Sequence, residues 1–194
     1  MNSLIQIYKK FKLILALILL IPLIWFGVKA GWNQADSDFP NYYVSAQLLQ
    51  NGNLYEAYQV NLFNRHIQHY DKNAKGLFVM YPPTTALLIY PLTAFDILNA
   101  KRIWIILSLC ALAGLIFLFT KLLPIDFIDG ANLMLICGFL LYNDFMLGQV
   151  YLVMLFLLLF GWYSLMKHNW FQCGMAWAWL AAFKFLPLFF IPFL

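Results

Sequence analysis

The sequence predicts an all-α, polytopic membrane helix bundle with about 5–6 spans and a large first outer loop that contains short surface helices. Of the 194 residues, 64% are hydrophobic and only 10% are charged, whereas an average soluble domain has roughly 25% charged residues. Long apolar runs alternate with short polar connections, as in membrane helix bundles. This composition excludes a soluble enzyme, a disordered chain and a disulfide-stabilised secreted scaffold. We also expect no nucleic-acid partner.

The first span is predicted at residues 13–30, an almost purely aliphatic run that follows a cluster of bases. Lys9, Lys10 and Lys12 form this cluster. By the positive-inside rule they place the N-terminus in the cytoplasm, with the chain in the cell (inner or plasma) membrane. The run is longer than the core of a signal peptide and lacks a small-residue cleavage site, so we interpret it as an anchor.

Residues 31–80 are predicted to form the outer loop because they contain four of the eight acids and two of the three histidines. Short surface helices are expected at 44–50 and 57–68. The turn signal Asn51-Gly52-Asn53 separates them, because glycine readily adopts a positive φ. Tyrosine rings in this loop are of the type enriched at the lipid headgroups.

Residues 81–194 are predicted to contain the further spans. Tyr81-Pro82-Pro83 should re-enter the membrane, because proline can open a helix but cannot continue one. Lys101 and Arg102 should then return the chain to the cytoplasmic side, ahead of a span at 103–119.

After this span, the polar connection 126–130 is expected to face outward. The later polar stretch 143–149 interrupts an apolar region. Polar groups at membrane depth must face protein or a cavity. The pattern fits either two full spans or a shallow hairpin at this point.

Two acids directly after the first span, Asp36 and Asp38, are candidate reactive groups. A carboxylate partly desolvated at the membrane surface has a raised pKa that suits a general base. The alternative for Asp38 is an ordinary acid of a solvated loop or a helix N-cap, because Phe39-Pro40 follows it. The pair also matches the Asp-x-Asp pattern of metal-binding sugar transferases, but no α/β nucleotide domain accompanies it. We therefore expect no metal.

Lys184 interrupts the last apolar run, 170–194. A lysine within hydrocarbon costs about 2.5–3.5 kcal/mol on insertion scales. We therefore expect Lys184 either to face a cavity or an anion, or to extend toward the membrane interface. Half of a transporter would also explain Lys184 and the stretch 143–149, but the internal repeat typical of transporters is not evident.

Five short motifs occur in a fixed order along the chain. They are 38–43 (Asp-Phe-Pro-Asn-Tyr-Tyr), 48–55 (Leu-Leu-Gln-Asn-Gly-Asn-Leu-Tyr), 78–83 (Phe-Val-Met-Tyr-Pro-Pro), 148–149 (Gly-Gln) and 184–187 (Lys-Phe-Leu-Pro). In this order and spacing the chain resembles the N-terminal half of glycosyltransferase family 87. The family comprises GT-C-type membrane enzymes and includes polyprenyl-phosphate-mannose-dependent α-1,2-mannosyltransferases. Because its members are longer, we expect residues 1–194 to be a single, truncated membrane domain.

The resemblance implies a hexosyltransferase that moves a mannose-like hexose from a polyprenyl-phosphate sugar to a glycan or glycolipid acceptor on the outer face. The resemblance also implies that this enzyme contacts membrane lipid, and it implies no cofactor. The catalytic base that matches by position is Asp38, and Lys184 would compensate phosphate charge. The substrate-binding candidates are Asp36, Tyr42, Tyr43, Tyr81, Gln149 and Lys184. The alternative function is a non-catalytic membrane assembly subunit or half of a transporter.

Overall fold

The structure is a computed structural model that describes residues 2–35, 38–70, 72 and 74–185. Every regular element among these residues is a helix, which confirms the predicted all-α class. A π-helical stretch, Leu23–Val28, joins α1 to α2, and 3-10 helices cover Leu54–Tyr58 and Tyr90–Ala94. The α-helices are α1 (Asn2–Pro22), α2 (Lys29–Asn33), α3 (Phe39–Gln50), α4 (Val60–Ile67), α5 (Pro83–Ile89), α6 (Ile97–Leu122), α7 (Phe127–Leu135), α8 (Gly138–Leu147), α9 (Tyr151–Met166) and α10 (Trp170–Phe183).

One end of the bundle, called here the Lys12 end, combines the first turns of α1 with the start of α7. The Lys12 ammonium contacts the carboxylates of Asp126 and Asp129. Asp126 and Asp129 also form a capping box that satisfies free N–H groups in the first turn of α7. The expectation that residues 126–130 face away from the N-terminal side was wrong, because α6 ends at the Lys12 end instead of starting there.

The opposite end, called here the Asp38 end, combines the end of α2, the start of α6 and the end of α8. The Lys101 ammonium donates to the carbonyls of Gln34 at 2.8 Å and Met146 at 2.9 Å. Arg102 Nε donates to the carbonyl of Trp32 at 3.2 Å. The prediction that Lys101 and Arg102 lie on the N-terminal side was wrong. These cations bind backbone carbonyls near helix ends, a favourable place for positive charge.

The predicted re-entry at Tyr81-Pro82-Pro83 was also wrong. α5 begins there, but it is only seven residues long, which is about 10 Å at the helical rise. α5 and the 3-10 helix Tyr90–Ala94 both pack against α3, so this segment stays at the Asp38 end. A proline-initiated apolar segment is compatible with an interfacial helix as well as with a span.

Within the described residues, the chain passes between the two ends five times: through α1 with α2, through α6, through α7 with α8, through α9 and through α10. By length and composition, Gln6–Asn33 and Ile97–Leu122 can each cross a membrane, and α7 with α8 makes a third span if their 75° bend lies within one. α9 has 16 residues and α10 has 14, which is shorter than about 20 residues per span. The expected 5–6 spans therefore correspond to five passes, of which two or three have full membrane length.

The outer loop forms a small helical layer at the Asp38 end. The two expected surface helices are confirmed: α3 contains residues 44–50, and the 3-10 helix Leu54–Tyr58 with α4 accounts for the second. Gly52 between them has a φ of 75°, which glycine adopts without the steric cost of a Cβ. Buried rings from α3, α4 and the loop before α5 pack in one cluster, which fixes the start of α3 against the bundle.

Candidate functional site

The candidate site is formed where α3 begins and α8 ends. Asp38 directly precedes α3, and Gln149 follows the turn after α8. The Gln149 Nε2 group donates a hydrogen bond to Asp38 Oδ2. Asp38 occupies the N-cap position of α3, with Pro40 in the first turn as predicted, but its side chain accepts no capping hydrogen bond. Its carboxylate faces Gln149 instead.

A sharp turn at Gly148 directs Gln149 toward Asp38. Gly148 has a φ of 67° and a ψ of 43°, the left-handed conformation that commonly ends a helix. A Cβ at this position would lie 2.9 Å from Phe39 Cβ and 3.3 Å from Lys101 Cε. The absence of a side chain therefore lets α8 approach both α3 and α6.

Gly148→Ala should lower the free energy of unfolding by about 1–3 kcal/mol, because it adds backbone strain and contacts a rigid Cβ. Thermal unfolding of the purified protein in detergent measures the effect. Gly138→Ala on the same helix is the matched control, since a Cβ there meets nothing within 4 Å. Equal losses of thermal stability in the two variants would contradict the assigned role of Gly148.

Two tyrosines extend the Asp38–Gln149 contact. The Tyr42 hydroxyl donates to Gln149 Oε1 at 2.9 Å and lies 3.0 Å from the Tyr81 hydroxyl. Because Tyr42 has one hydroxyl proton and gives it to Gln149, Tyr81 must donate to Tyr42. Burial raises the pKa of Tyr42 far above its ordinary value, so its hydroxyl stays neutral. Tyr42 thus fixes the Gln149 amide with its donor side toward Asp38.

Lys184 reaches the same cluster from the end of α10. Its ammonium donates to the Tyr151 hydroxyl at 3.0 Å and lies 5.0 Å from the ring centre of Tyr81 and 4.5 Å from that of Tyr151. Such positions over ring faces are favourable for a cation. α10 ends at Phe183, so Lys184 does not lie within a helix as the apolar run suggested. The ammonium thus contacts two tyrosines at the Asp38 end, a position that fits either of the two predicted alternatives.

Lys101 is a site residue that reasoning from the sequence missed. Its side chain is completely buried at 0% exposure, and its positive charge acts on Asp38. A signal was present in the sequence: Lys101 shares one helix face with Trp104, Ile105 and Ser108, the spacing of a buried stripe. All four are buried in α6. Because Arg102 follows it directly, Lys101 had the pattern of a solvated basic pair that marks the cytoplasmic side of a span.

The surroundings of Asp38 adjust its basicity. Burial raises the pKa of the Asp38 carboxyl above its usual range, while the hydrogen bond from Gln149 and the charge of Lys101 partly offset that rise. The carboxylate is therefore a stronger base than an exposed aspartate, yet it has two partners that stabilise its ionised form. This combination suits a group that accepts a proton from a substrate hydroxyl.

The predicted site residues that the structure brings together are Asp38, Tyr42, Tyr81, Gln149 and Lys184. Tyr43 points elsewhere, because its hydroxyl donates to the carbonyl of Phe95 at 2.7 Å and its ring packs against Tyr70. Asp36 lies outside the described residues. Tyr151, which no sequence motif had singled out, joins the cluster through Lys184.

An apolar cavity of about 840 Å³ adjoins this cluster. Side chains from α6 to α9 form its wall, from Phe119 on α6 to Leu155 on α9. Its polar lining lies toward the Asp38 end and consists of Asn143, Asp144, Gln149 and Tyr151. Gln149 thus belongs both to the cavity wall and to the hydrogen-bonded cluster. The cavity can hold an apolar chain whose polar head lies near Gln149.

Comparison with known proteins identifies the family. The model of glycosyltransferase family 87 matches residues 78–194, a segment that contains Tyr81, Lys101, Gln149 and Lys184 and covers more than half of the chain. No curated protein and no solved structure matches the chain. A membrane helix bundle with a half-buried carboxylate beside an apolar cavity is compatible with sugar transfer in a membrane. The chain belongs to glycosyltransferase family 87.

Proposed function

We propose that the chain transfers a mannose-like hexose from a polyprenyl-phosphate sugar to a glycan or glycolipid acceptor, with GT-C-type chemistry on the outer face of the cell membrane. The single observation that carries this proposal is the Asp38 carboxylate, held by Gln149, which also lines the apolar cavity. The cavity receives the lipid chain, and the Asp38–Gln149 contact receives the reacting groups.

Asp38 acts as general base on the acceptor hydroxyl. The hydroxyl oxygen attacks the anomeric carbon of the donor sugar while the bond from that carbon to the phosphate oxygen breaks. The phosphate leaves with the bonding electrons, and the hydroxyl proton passes to Asp38. One displacement of this kind inverts the anomeric configuration. The raised pKa of Asp38 supports this role, because a half-buried carboxylate gains more by accepting a proton than a fully exposed one does.

In this proposal the polyprenyl chain and the phosphate of the donor bind to different parts of the protein. The polyprenyl chain lies in the cavity of about 840 Å³, whose walls are mostly carbon. The phosphate lies near Lys184 and Tyr151, at the polar side of the cavity, where an ammonium offsets the charge that develops on the leaving group. Lys184 is already held in this position by its bond to the Tyr151 hydroxyl.

The basic cluster before the first span supports a cytoplasmic N-terminus, and with it an outward-facing Asp38 end. Lys9, Lys10 and Lys12 form this cluster directly ahead of the apolar part of α1, where bases count in the positive-inside rule. At the Asp38 end, Lys101 is buried against backbone carbonyls and therefore does not act as a topology signal.

The proposal is tested with membranes that contain the protein, supplied either with a labelled polyprenyl-phosphate mannose or with a nucleotide-linked mannose. Transfer is expected from the lipid donor alone. Transfer from the nucleotide donor without any from the lipid donor would refute the proposed donor class.

Leu155→Trp should raise the KM for the lipid donor about tenfold, because overpacking the cavity costs about 1–3 kcal/mol. Leu158→Trp is the matched control: both leucines lie on α9 and are 38% exposed, but only Leu155 lines the cavity. The KM with the control variant should stay within about twofold of the native value, a change of less than 1 kcal/mol. Equal effects of the two substitutions would show that the lipid chain does not occupy this cavity.

A further inference from the structure

Asp144 has a carboxylate oxygen that the proposed reaction does not use. The residue lies on α8, is 4% exposed and lines the apolar cavity. Its Oδ1 atom accepts a hydrogen bond from the backbone N–H of Leu152 at 3.2 Å, at the start of α9. Its Oδ2 atom is buried and has no hydrogen-bond partner among the described residues. One oxygen thus supports the start of α9, and the other is an acceptor without a partner in a residue that lines the cavity.

A buried acceptor without a partner costs free energy, which a hydrogen-bond donor on a ligand would recover. The chemistry of the proposed occupant limits which of its groups can donate this hydrogen bond. A hydrocarbon chain carries no hydrogen-bond donor, and an ionised phosphate presents only acceptors. Sugar hydroxyls are donors, and they are attached next to the phosphate in a lipid-linked sugar.

We propose that Asp144 Oδ2 accepts a hydrogen bond from a hydroxyl of the sugar that enters the cavity as part of a lipid-linked donor. This inference rests on the proposed function and names the part of the protein that recognises the sugar. The backbone supports the placement: the carbonyl of Asp144 accepts a hydrogen bond from the N–H of Gln149 at 2.9 Å. The backbone of Asp144 is thus bonded directly to that of the residue that holds Asp38.

Asp144→Asn changes the ligand-facing atom and little else. The amide oxygen still accepts from Leu152, so the support of α9 is retained, while the free oxygen becomes an NH₂ group. Asp96→Asn is the matched control, because Asp96 accepts from the N–H groups of Leu98 and Asn99 at the start of α6, both at 3.1 Å. Asp96 is exposed and does not line the cavity.

Binding to the full chain in lipid nanodiscs is measured with three probes by quenching of tryptophan fluorescence. They are dodecyl mannoside, its monodeoxy analogues, and a methyl-capped dodecyl polyether with the same chain and no hydroxyl. In the native protein, loss of the recognised hydroxyl should weaken binding about tenfold, as expected for the loss of one hydrogen bond. In Asp144→Asn, the mannoside and that deoxy analogue should bind equally, while the polyether should bind as in the native protein.

Three results would overturn the inference: native protein that does not distinguish any deoxy analogue from the mannoside, equal weakening of the mannoside and the polyether in Asp144→Asn, or the same loss in Asp96→Asn. The second and third would assign Asp144 to helix support alone. The measurement needs no sugar transfer, so it separates this inference from the proposed function. Asp38→Asn should retain mannoside binding even though its rate of sugar transfer should fall.

Discussion

Asp38→Asn is expected to lower kcat for sugar transfer by a factor on the order of 10²–10⁴, the usual contribution of a general base. An amide cannot accept the hydroxyl proton at neutral pH. The amide oxygen of the variant can still accept the hydrogen bond that Gln149 Nε2 gives to Asp38, so the geometry of the cluster should persist. Initial rates at saturating donor and acceptor measure kcat, and the KM for the lipid donor should change little.

The unfolding temperature of Asp38→Asn distinguishes a loss of catalysis from a folding defect. Because burial raises the pKa of Asp38 in the folded protein, the folded state holds this proton more tightly than the unfolded chain does. Ionisation of Asp38 above its folded pKa therefore subtracts from stability. Replacement by a neutral amide removes this cost, and Asp38→Asn should unfold at the same or a higher temperature at neutral pH.

Asp96→Asn supplies the control for this prediction, since it also neutralises a carboxylate at the Asp38 end, outside the cluster. Its kcat should stay within about twofold of the native value, a change of less than 1 kcal/mol in the barrier. Retention of the full rate in Asp38→Asn would disprove the base assignment. A large fall in unfolding temperature would instead assign Asp38 a structural role.

Composition and local signals were enough to predict the membrane class, the surface helices and the turn at Gly52. Each of these depends on residues close together in sequence. The Asp38–Gln149 bond joins positions 111 residues apart, and no local pattern specifies such a contact. Both residues could be named from the sequence because their motifs resemble those of a known family, but the hydrogen bond that joins them is visible only in the structure.

The errors in topology have a common physical cause. The positive-inside rule assumes that a charge is solvated, whereas Lys101 binds the carbonyls of Gln34 and Met146 inside the bundle. Likewise, the proline-initiated segment at Pro83 has the apolar pattern of a span but too few residues to cross. In both cases a tertiary contact decides the position, and the local pattern is the same for either outcome.

Lys101→Met should move the acid limb of the pH–rate profile to higher pH. The transfer rate follows the ionised fraction of Asp38, and the charge of Lys101 lowers the pKa of Asp38. Removal of that charge raises the pKa, so a higher pH is needed for the same ionised fraction. At a pH well below the midpoint, the rate falls about tenfold for every tenfold rise in the proton affinity of Asp38. The rate lost in this way should return as the pH is raised.

A second effect of Lys101→Met is structural. The ammonium is completely buried and donates to the carbonyls of Gln34 and Met146, which the thioether of methionine cannot do. Loss of a buried charged donor leaves acceptors unpaired, at a cost on the order of 1–3 kcal/mol for each. Thermal unfolding should therefore occur at a lower temperature, and rates must be compared where the variant is folded.

Arg102→Met distinguishes the electrostatic effect from the structural one. Arg102 is the next residue on α6, and its Nε group also donates to a carbonyl near the end of the first pass, that of Trp32 at 3.2 Å. Its charge is half-buried and is not among the causes that move the pKa of Asp38. Arg102→Met should lower stability without moving the acid limb. If both variants move the limb equally, the pKa of Asp38 responds to net charge at this end of the bundle; if neither does, Lys101 serves only to join α2 and α8.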